Sequence, residues 1–163
     1  MKYSSLITLV IIIFWGNLYA SSRPDIDTVS IIGITPGTDG KIVGSHVSEK
    51  IDTLLWNQDG TGIVKFPGYY LNIKGDFRIA YAQGAVSQIN FVAPTHNKEE
   101  TIKVYSLLSQ ELVGVYGVAD VETNNAIHEM RWEGIKQSIS VKAEDGSNYV
   151  TIALSKFVKD FGR

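Results

Sequence analysis

The sequence predicts a two-layer α+β domain: antiparallel sheet, in one piece or two, covered by two helices, with a helix-then-strands order that runs twice along the chain. Three observations predict it. Several short runs alternate apolar and polar residues and are separated by glycine-containing pairs, the pattern of hairpin strands. Two other runs repeat apolar residues at helical spacing. The 163 residues, less a leader, suffice for one domain with its own core and are short for two.

Met1, Lys2 and Tyr3 precede an apolar run from Leu6 to Trp15, broken by Thr8, and Leu18-Tyr19-Ala20-Ser21-Ser22 follows. A positive start, a short apolar stretch and a small residue before a polar segment define a secretory signal. The run is well short of the ~20 residues that cross a bilayer. Residues 1–20 are therefore expected to be a signal peptide cut after Ala20. Residues 21–163 form a single exported domain with halves at about 29–92 and 97–155. No later segment stays apolar long enough to span a membrane, so no stable span is expected after cleavage. The expected location is periplasmic or extracellular, and the low-cysteine composition has a bacterial character.

Hydrophobic residues make up 44% of the chain and charged ones 20%, an ordinary globular balance. The net charge is −2 for the whole chain and −3 once Lys2 is removed. No basic stripe is present, so the attraction that nucleic-acid binders use is missing and nucleic acid is set aside as a partner. The absence of cysteine excludes disulfides, a thiol nucleophile and thiolate zinc sites.

Along the mature chain, residues 21–44 are rich in Gly, Pro, Thr and Asp around the apolar knot Val29-Ser30-Ile31-Ile32. Ser45 is placed to cap a short helix whose apolar face is Val47, Ile51, Leu54 and Leu55. Strands are then expected at 63–66, 69–73, 77–81 and 86–92. Turns are expected at Pro67-Gly68, Gly75-Asp76 and Gly84-Ala85. Asn97 with Glu100 has capping-box spacing. The helix after it carries Ile102, Tyr105, Leu108, Leu112, Val115 and Tyr116, and Gly117 ends it. Strands follow at 127–132, 135–142 and 149–154, the last two joined through Asp145-Gly146.

The segment Ile31-Ile32-Gly33-Ile34-Thr35-Pro36-Gly37 ahead of a small helix and an antiparallel meander resembles the start of BamE-type outer-membrane assembly modules and of the β-lactamase-inhibitor-protein modules. The resemblance covers about residues 29–92. It implies a protein-binding, non-catalytic module. The chain departs from that pattern in having neither a lipid-carrying cysteine nor a disulfide pair.

Candidate chemistry is sparse. Gly33 to Lys41 is glycine-rich, but a phosphate loop needs Gly where Thr35 stands and Ser or Thr where Ile42 stands, so a plain turn is expected. His46 and Glu49 lie one helical turn apart, near Lys50 and Asp52, but supply fewer ligands than a catalytic zinc requires. His128-Glu129 opens like a zinc-protease helix signature and is not followed by the second His, since Trp132 and Glu133 stand there. Ser45 beside His46 lacks the geometry of an activated serine. Asp59, Asp76, Glu129 and Glu133 would support sugar hydrolysis if the fold brought two of them together. Neither a catalytic residue, a metal site nor a cofactor is assigned.

The more informative group is aromatic: Trp56, Phe66, Tyr69, Tyr70 and Trp132. Strand alternation sends Tyr69 and Tyr70 to opposite faces, so one ring is expected outside the core. Exposed Tyr and Trp rings bury much area on a partner at small entropic cost. With Pro67-Gly68 as a contact loop, these residues point to a non-enzymatic module that binds another exported or envelope protein, as an inhibitor, an immunity protein or an assembly factor. Two alternatives stand beside it. One is a carrier of a small apolar ligand held between sheet and helices. The other is a small hydrolase using the dispersed carboxylates.

Overall fold

The computed structural model describes residues 23–40, 43, 53–56, 61–124 and 126–156, with backbone alone at 53–56 and 124. The leader, Ser45, His46, Glu49 and Asp59 lie outside the described residues.

Eight strands form one antiparallel sheet: β1 (Thr53–Trp56), β2 (Gly62–Tyr70), β3 (Ile73–Ala82), β4 (Ala85–Pro94), β5 (Val121–Asn124), β6 (Ile127–Glu133), β7 (Gln137–Glu144) and β8 (Tyr149–Lys156). Their spatial order is β1-β2-β3-β4-β8-β7-β6-β5. Two four-stranded meanders thus meet through their last strands, β4 against β8, with Ile89 opposite Leu154 and Phe91 opposite Ile152. Between the meanders in sequence lies α1 (Lys98–Tyr116).

This corrects the expected architecture. Among the described elements there is one α-helix, not two, and the chain does not repeat a helix-then-strands unit over a two-layer core. Leu54 and Leu55, expected at the end of a first helix, belong to β1 and pair with Val64 and Ile63. A short apolar run satisfies helical and strand periods equally well. Pairing with β2, a tertiary effect, decides the conformation of Thr53–Trp56.

The turns of the first meander also differ from expectation. Pro67-Gly68 and Gly75-Asp76 sit inside β2 and β3, where Gly68 faces Gly75. Proline is tolerated there because β1 pairs only with residues 62–65 and leaves Pro67 with a single described neighbour strand. The chain reverses instead at Leu71-Asn72, with φ of 49° and 63°, and at Gln83-Gly84, with φ of 54° and 78°. Two successive positive φ values match the right-handed twist of the flanking strands. A bulge on β4 at Ser87 accounts for Val86 and Ile89 both pointing inward although three residues apart.

One hydrophobic cluster fills the inner face and spans both meanders. In the first, Phe66, Phe77 and Phe91 follow one another at centroid distances of 5.4 and 5.1 Å, and Tyr70 lies 5.6 Å from Phe91. In the second, Ile139, Val141, Ile152 and Leu154 meet Leu108 and Leu112 of α1. The buried side of α1 is Thr101, Leu108, Ser109, Leu112 and Tyr116, whereas Ile102 and Val115, expected on the apolar stripe, are exposed. Asn97 caps the helix by accepting the Glu100 N–H at 2.9 Å. The Glu100 carboxylate passes over Asn97 and takes the His96 N–H instead.

The segment from Arg23 to Val43 contributes Ile26, Val29, Ile31, Ile34 and Val43 to the core. It is tied down at several points. Arg23 donates two bonds to Asp120 at 2.9 and 2.6 Å. The Asp27 carboxylate accepts the N–H groups of Ile135, Lys136 and Gln137. The buried Gln137 amide donates to the carbonyls of Ile26 and Val29 at 2.6 and 2.8 Å.

Candidate functional site

Strand alternation sorts every side chain of the sheet to one of two faces. The inner face is spent on the core. Functional groups are therefore sought on the outer face, at the sheet ends and beside α1.

On the outer face of the first meander, Ile63, Lys65, Pro67 and Tyr69 follow in line along β2. Tyr69 is 68% exposed and Ile63 48% exposed, and Leu71 in the next turn is also open to solvent. Lys65 is balanced by Asp76 of β3 at 3.1 Å. The result is an apolar stripe beside which stand the Lys65–Asp76 ion pair and, on β3, the exposed Lys74 opposite Tyr69 and the exposed Arg78 opposite Lys65.

The outer face of the second meander is different in kind. A groove of about 460 Å³ runs over β4, β8, β7 and β6. Its floor is built of Gln88, Asn90, Ser138, Ser140, Thr151 and Ser155. Its walls carry Glu129 beside Arg131 at 3.5 Å and Lys142 beside Glu144 at 2.7 Å. The Glu144 carboxylate holds the Lys142 ammonium above its ordinary value. Tyr149 stands at one end of the groove, with its ring partly open.

A smaller cleft of about 210 Å³ lies between α1 and the ends of β6 and β7. Ile102, Tyr105 and Ala143 supply apolar walls, and Lys98, His128 and Asp145 a polar end. The Tyr105 and His128 rings are 5.9 Å apart. Lys98 Nζ is 3.4 Å and His128 Nε2 is 3.9 Å from the Asp145 carboxylate. Burial pushes the Tyr105 hydroxyl above its ordinary value.

Placed in this frame, the aromatic residues singled out in the sequence separate. Trp132 is fully buried, with its indole N–H on the Gly117 carbonyl at 2.9 Å. Phe66 is buried beneath Phe77. Tyr70 is half-buried on the inner face, and burial pushes its hydroxyl up to about 12. Trp56 lies on β1, with its side chain outside the described residues. Tyr69 alone of the four with described side chains turns its ring to solvent.

Of the four carboxylates named, those with described side chains come together only as Glu129 and Glu133, and they do so as ion-pair partners of one guanidinium. Glu129 and Glu133 flank Arg131, which approaches them at 3.5 and 3.1 Å. Asp76 lies four strand spacings away from β6, about 19 Å at the usual interstrand distance, too far for a glycosidase pair. His128 and Glu129 point to opposite faces of β6 and cannot share a ligand. Among the described residues no group of three or more His, Asp or Glu side chains is placed to hold a metal ion.

The glycine-rich segment is a turn docked on the sheet. Gly37 N–H bonds to the Val86 carbonyl and Gly40 N–H to that of Gly84, so the backbone donors a phosphate would need are used within the protein.

Sequence reasoning missed the groove. Its signal was partly present, because alternation around Ile139 and Val141 already puts Ser138 and Ser140 on one face. The contribution of Gln88 and Asn90 depends on the β4–β8 pairing between residues some 65 apart, which no local pattern announces.

Among the described residues no helix is long and apolar enough to cross a membrane. Compared with family models, with curated proteins and with solved structures, the chain shows no match.

Proposed function

We propose that the chain is an exported, non-enzymatic module that binds another exported or envelope protein, in an inhibitory, immunity or assembly role. The apolar stripe of Ile63, Pro67 and Tyr69 on the outer face of β2 carries this reading. A tyrosine ring in the open beside two further apolar side chains loses little by staying exposed in the free protein and gains contact area on a partner. The Lys65–Asp76 pair, with Lys74 and Arg78 across β3, supplies a polar rim to the stripe. The leader-like first 20 residues support export, and the arrangement of Glu129, Arg131 and Glu133 as ion pairs supports a binding role over acid–base work.

The test is capture of envelope and culture-medium proteins on the tagged chain, run beside an Ile63→Ser/Tyr69→Ser variant. One protein retained by the parent and lost by the variant is the expected result. Equal retention by both chains removes the stripe from the reading. N-terminal sequencing of the chain recovered from its host tests export: a start at Ser21 is expected, and an intact Met1 on cytosolic protein overturns it.

The cleft beneath α1 favours a second reading, carriage of a small apolar ligand against Ile102, Tyr105 and Ala143. Native mass spectrometry of the chain purified from its host would show an added small-molecule mass under that reading and the bare chain otherwise.

A further inference from the structure

The floor of the outer-face groove is lined with polar side chains, and one of them, Asn90, holds a buried Oδ1 without a partner, as the Tyr105 hydroxyl and Ser109 Oγ do on α1. Buried polar groups are normally hydrogen-bonded, and on the inner side Gln137, Thr95 and Thr101 all are. Gln88, Asn90, Ser138, Ser140, Thr151 and Ser155 are half-buried or buried, adjacent across three strands, and none of their side chains bonds to another described residue. Ser138 is 8% exposed and still has a free hydroxyl facing the groove. The Asn90 Oδ1 is shut off from solvent with no donor in reach, so a half-turn of that amide breaks no bond and presents its oxygen to the groove.

We propose that this groove is a binding site for a neutral saccharide, held by hydrogen bonds from the hydroxyl and amide groups of its floor. Three features select that ligand class. The floor offers six uncharged groups, and hydroxyls and amides both donate and accept, as vicinal sugar hydroxyls do. Four of the five charged side chains in the lining are paired, Glu129 with Arg131 and Lys142 with Glu144, and Lys156 stands apart at the end away from Tyr149, so most of the groove presents no net charge to a ligand. Tyr149, 43% exposed at one end, provides an apolar ring against which the C–H face of a pyranose can lie. The volume of about 460 Å³ falls within the range of small-ligand sites and exceeds that of the cleft beneath α1. The site is separate from the apolar stripe on β2, so it stands or falls independently of the protein-binding reading.

The test uses the ¹⁵N-labelled full chain titrated with chitotriose, cellotriose and maltotriose, beside a Ser138→Ala/Ser140→Ala/Thr151→Val variant. These substitutions remove hydroxyls that bond to no described residue, so the variant should keep the parent's melting temperature and amide spectrum. Saturable shifts confined to β4, β8, β7 and β6 are expected with at least one trisaccharide, with affinity about tenfold or more lower in the variant. No saturable shift with any of the three identifies a merely hydrated sheet face and overturns the proposal. Equal affinity in parent and variant overturns it as well, as do shifts confined to the β2 stripe or to the cleft beneath α1. Should the triple variant melt early, Asn90→Ala read by the same titration decides between the outcomes.

Discussion

The two meanders solve the same packing problem with different materials. The first fills its inner face with rings, Phe66, Tyr70, Phe77 and Phe91, and makes room for them with glycines inside its strands. A Cβ on Gly68 would lie 2.6 Å from Phe77 Cε2. One on Gly75 would lie 2.7 Å from Phe91 Cζ and collide with the Val92 carbonyl oxygen. The second meander fills its inner face with Ile139, Val141, Ile152 and Leu154, takes α1 as its cover, and keeps its glycines at chain reversals, Gly146 at a φ of 81° and Gly134 where a Cβ would collide with the Asp27 carboxylate. The strand glycines of the first half therefore answer to rings, whereas the glycines of the second sit at chain reversals, one of them against a carboxylate.

The largest effect that sharpens this comparison belongs to Trp132, the large ring on the inner face of the aliphatic half. It is fully buried, 6.1 Å from Tyr116, and its N–H holds the carbonyl of Gly117 just past the end of α1. Trp132→Ala removes the most volume from under the helix and should destabilise the fold by about 3–5 kcal/mol in chemical denaturation. Trp132→Phe keeps most of the apolar area and loses the bond, and should cost clearly less. Equal losses in the two variants would mean that the link to Gly117, rather than the ring's volume, holds the helix to the sheet.

Gly75→Ala is the corresponding break in the aromatic half. The added methyl meets both a ring and a backbone oxygen, so the strand must shift, at a cost of about 1–3 kcal/mol. Gly146→Ala in the other half meets no atom within 4 Å; its cost is the positive φ of 81° alone. A Gly75→Ala variant as stable as the parent would show that the strand glycines are not there for the rings, and the contrast between the halves would fail.

The same contrast explains what could be read in advance. In the second half the alternation of Gln137, Ile139 and Val141 and of Val150, Ile152 and Leu154 matches the buried face, although Ile135, expected to begin that face, lies exposed ahead of β7, and Asp145-Gly146 lies at the reversal. In the first half Pro67-Gly68 and Gly75-Asp76 carry turn chemistry but serve packing, while the true turn uses Leu71 and Asn72, of which only Asn72 is a usual turn residue. Local pattern reports local need. It cannot show that a distant ring occupies the space above a glycine, that β4 joins β8, or that Leu54 and Leu55 pair with β2. The candidate sites divide along the same line. The exposure of either Tyr69 or Tyr70 follows from alternation, whereas the burial of Trp132 and the assembly of the groove floor follow from tertiary pairing.

Leu71 offers a smaller effect of opposite sign. A side chain with a Cβ at φ 49° is strained, and Leu71 is exposed, so little packing offsets that strain. Leu71→Gly should raise stability by up to about 1 kcal/mol, less the extra entropy of glycine in the unfolded chain. Thermal melts would show the gain. An unchanged or lower melting temperature would mean that the leucine side chain contributes contacts worth as much as the strain.

The smallest effect fades in acid and concerns how the N-terminal segment is held to the second meander. The Asp27 carboxylate is kept below its ordinary value, first by the Lys136 N–H and further by those of Ile135 and Gln137, against a desolvation effect in the other direction. A depressed folded-state value stabilises the fold above the unfolded-state pKa, and that contribution is lost as pH falls through the folded value. The parent should therefore lose stability below about pH 4 more steeply than Asp27→Asn, whose amide does not titrate there. At neutral pH the variant should be the less stable of the two, because a neutral amide oxygen accepts the three N–H groups more weakly than a carboxylate. Parallel melting curves from neutral to acid pH would show that the charge of Asp27 adds nothing. The segment from Arg23 to Val29 would then be held by Gln137 and by the Arg23–Asp120 pair.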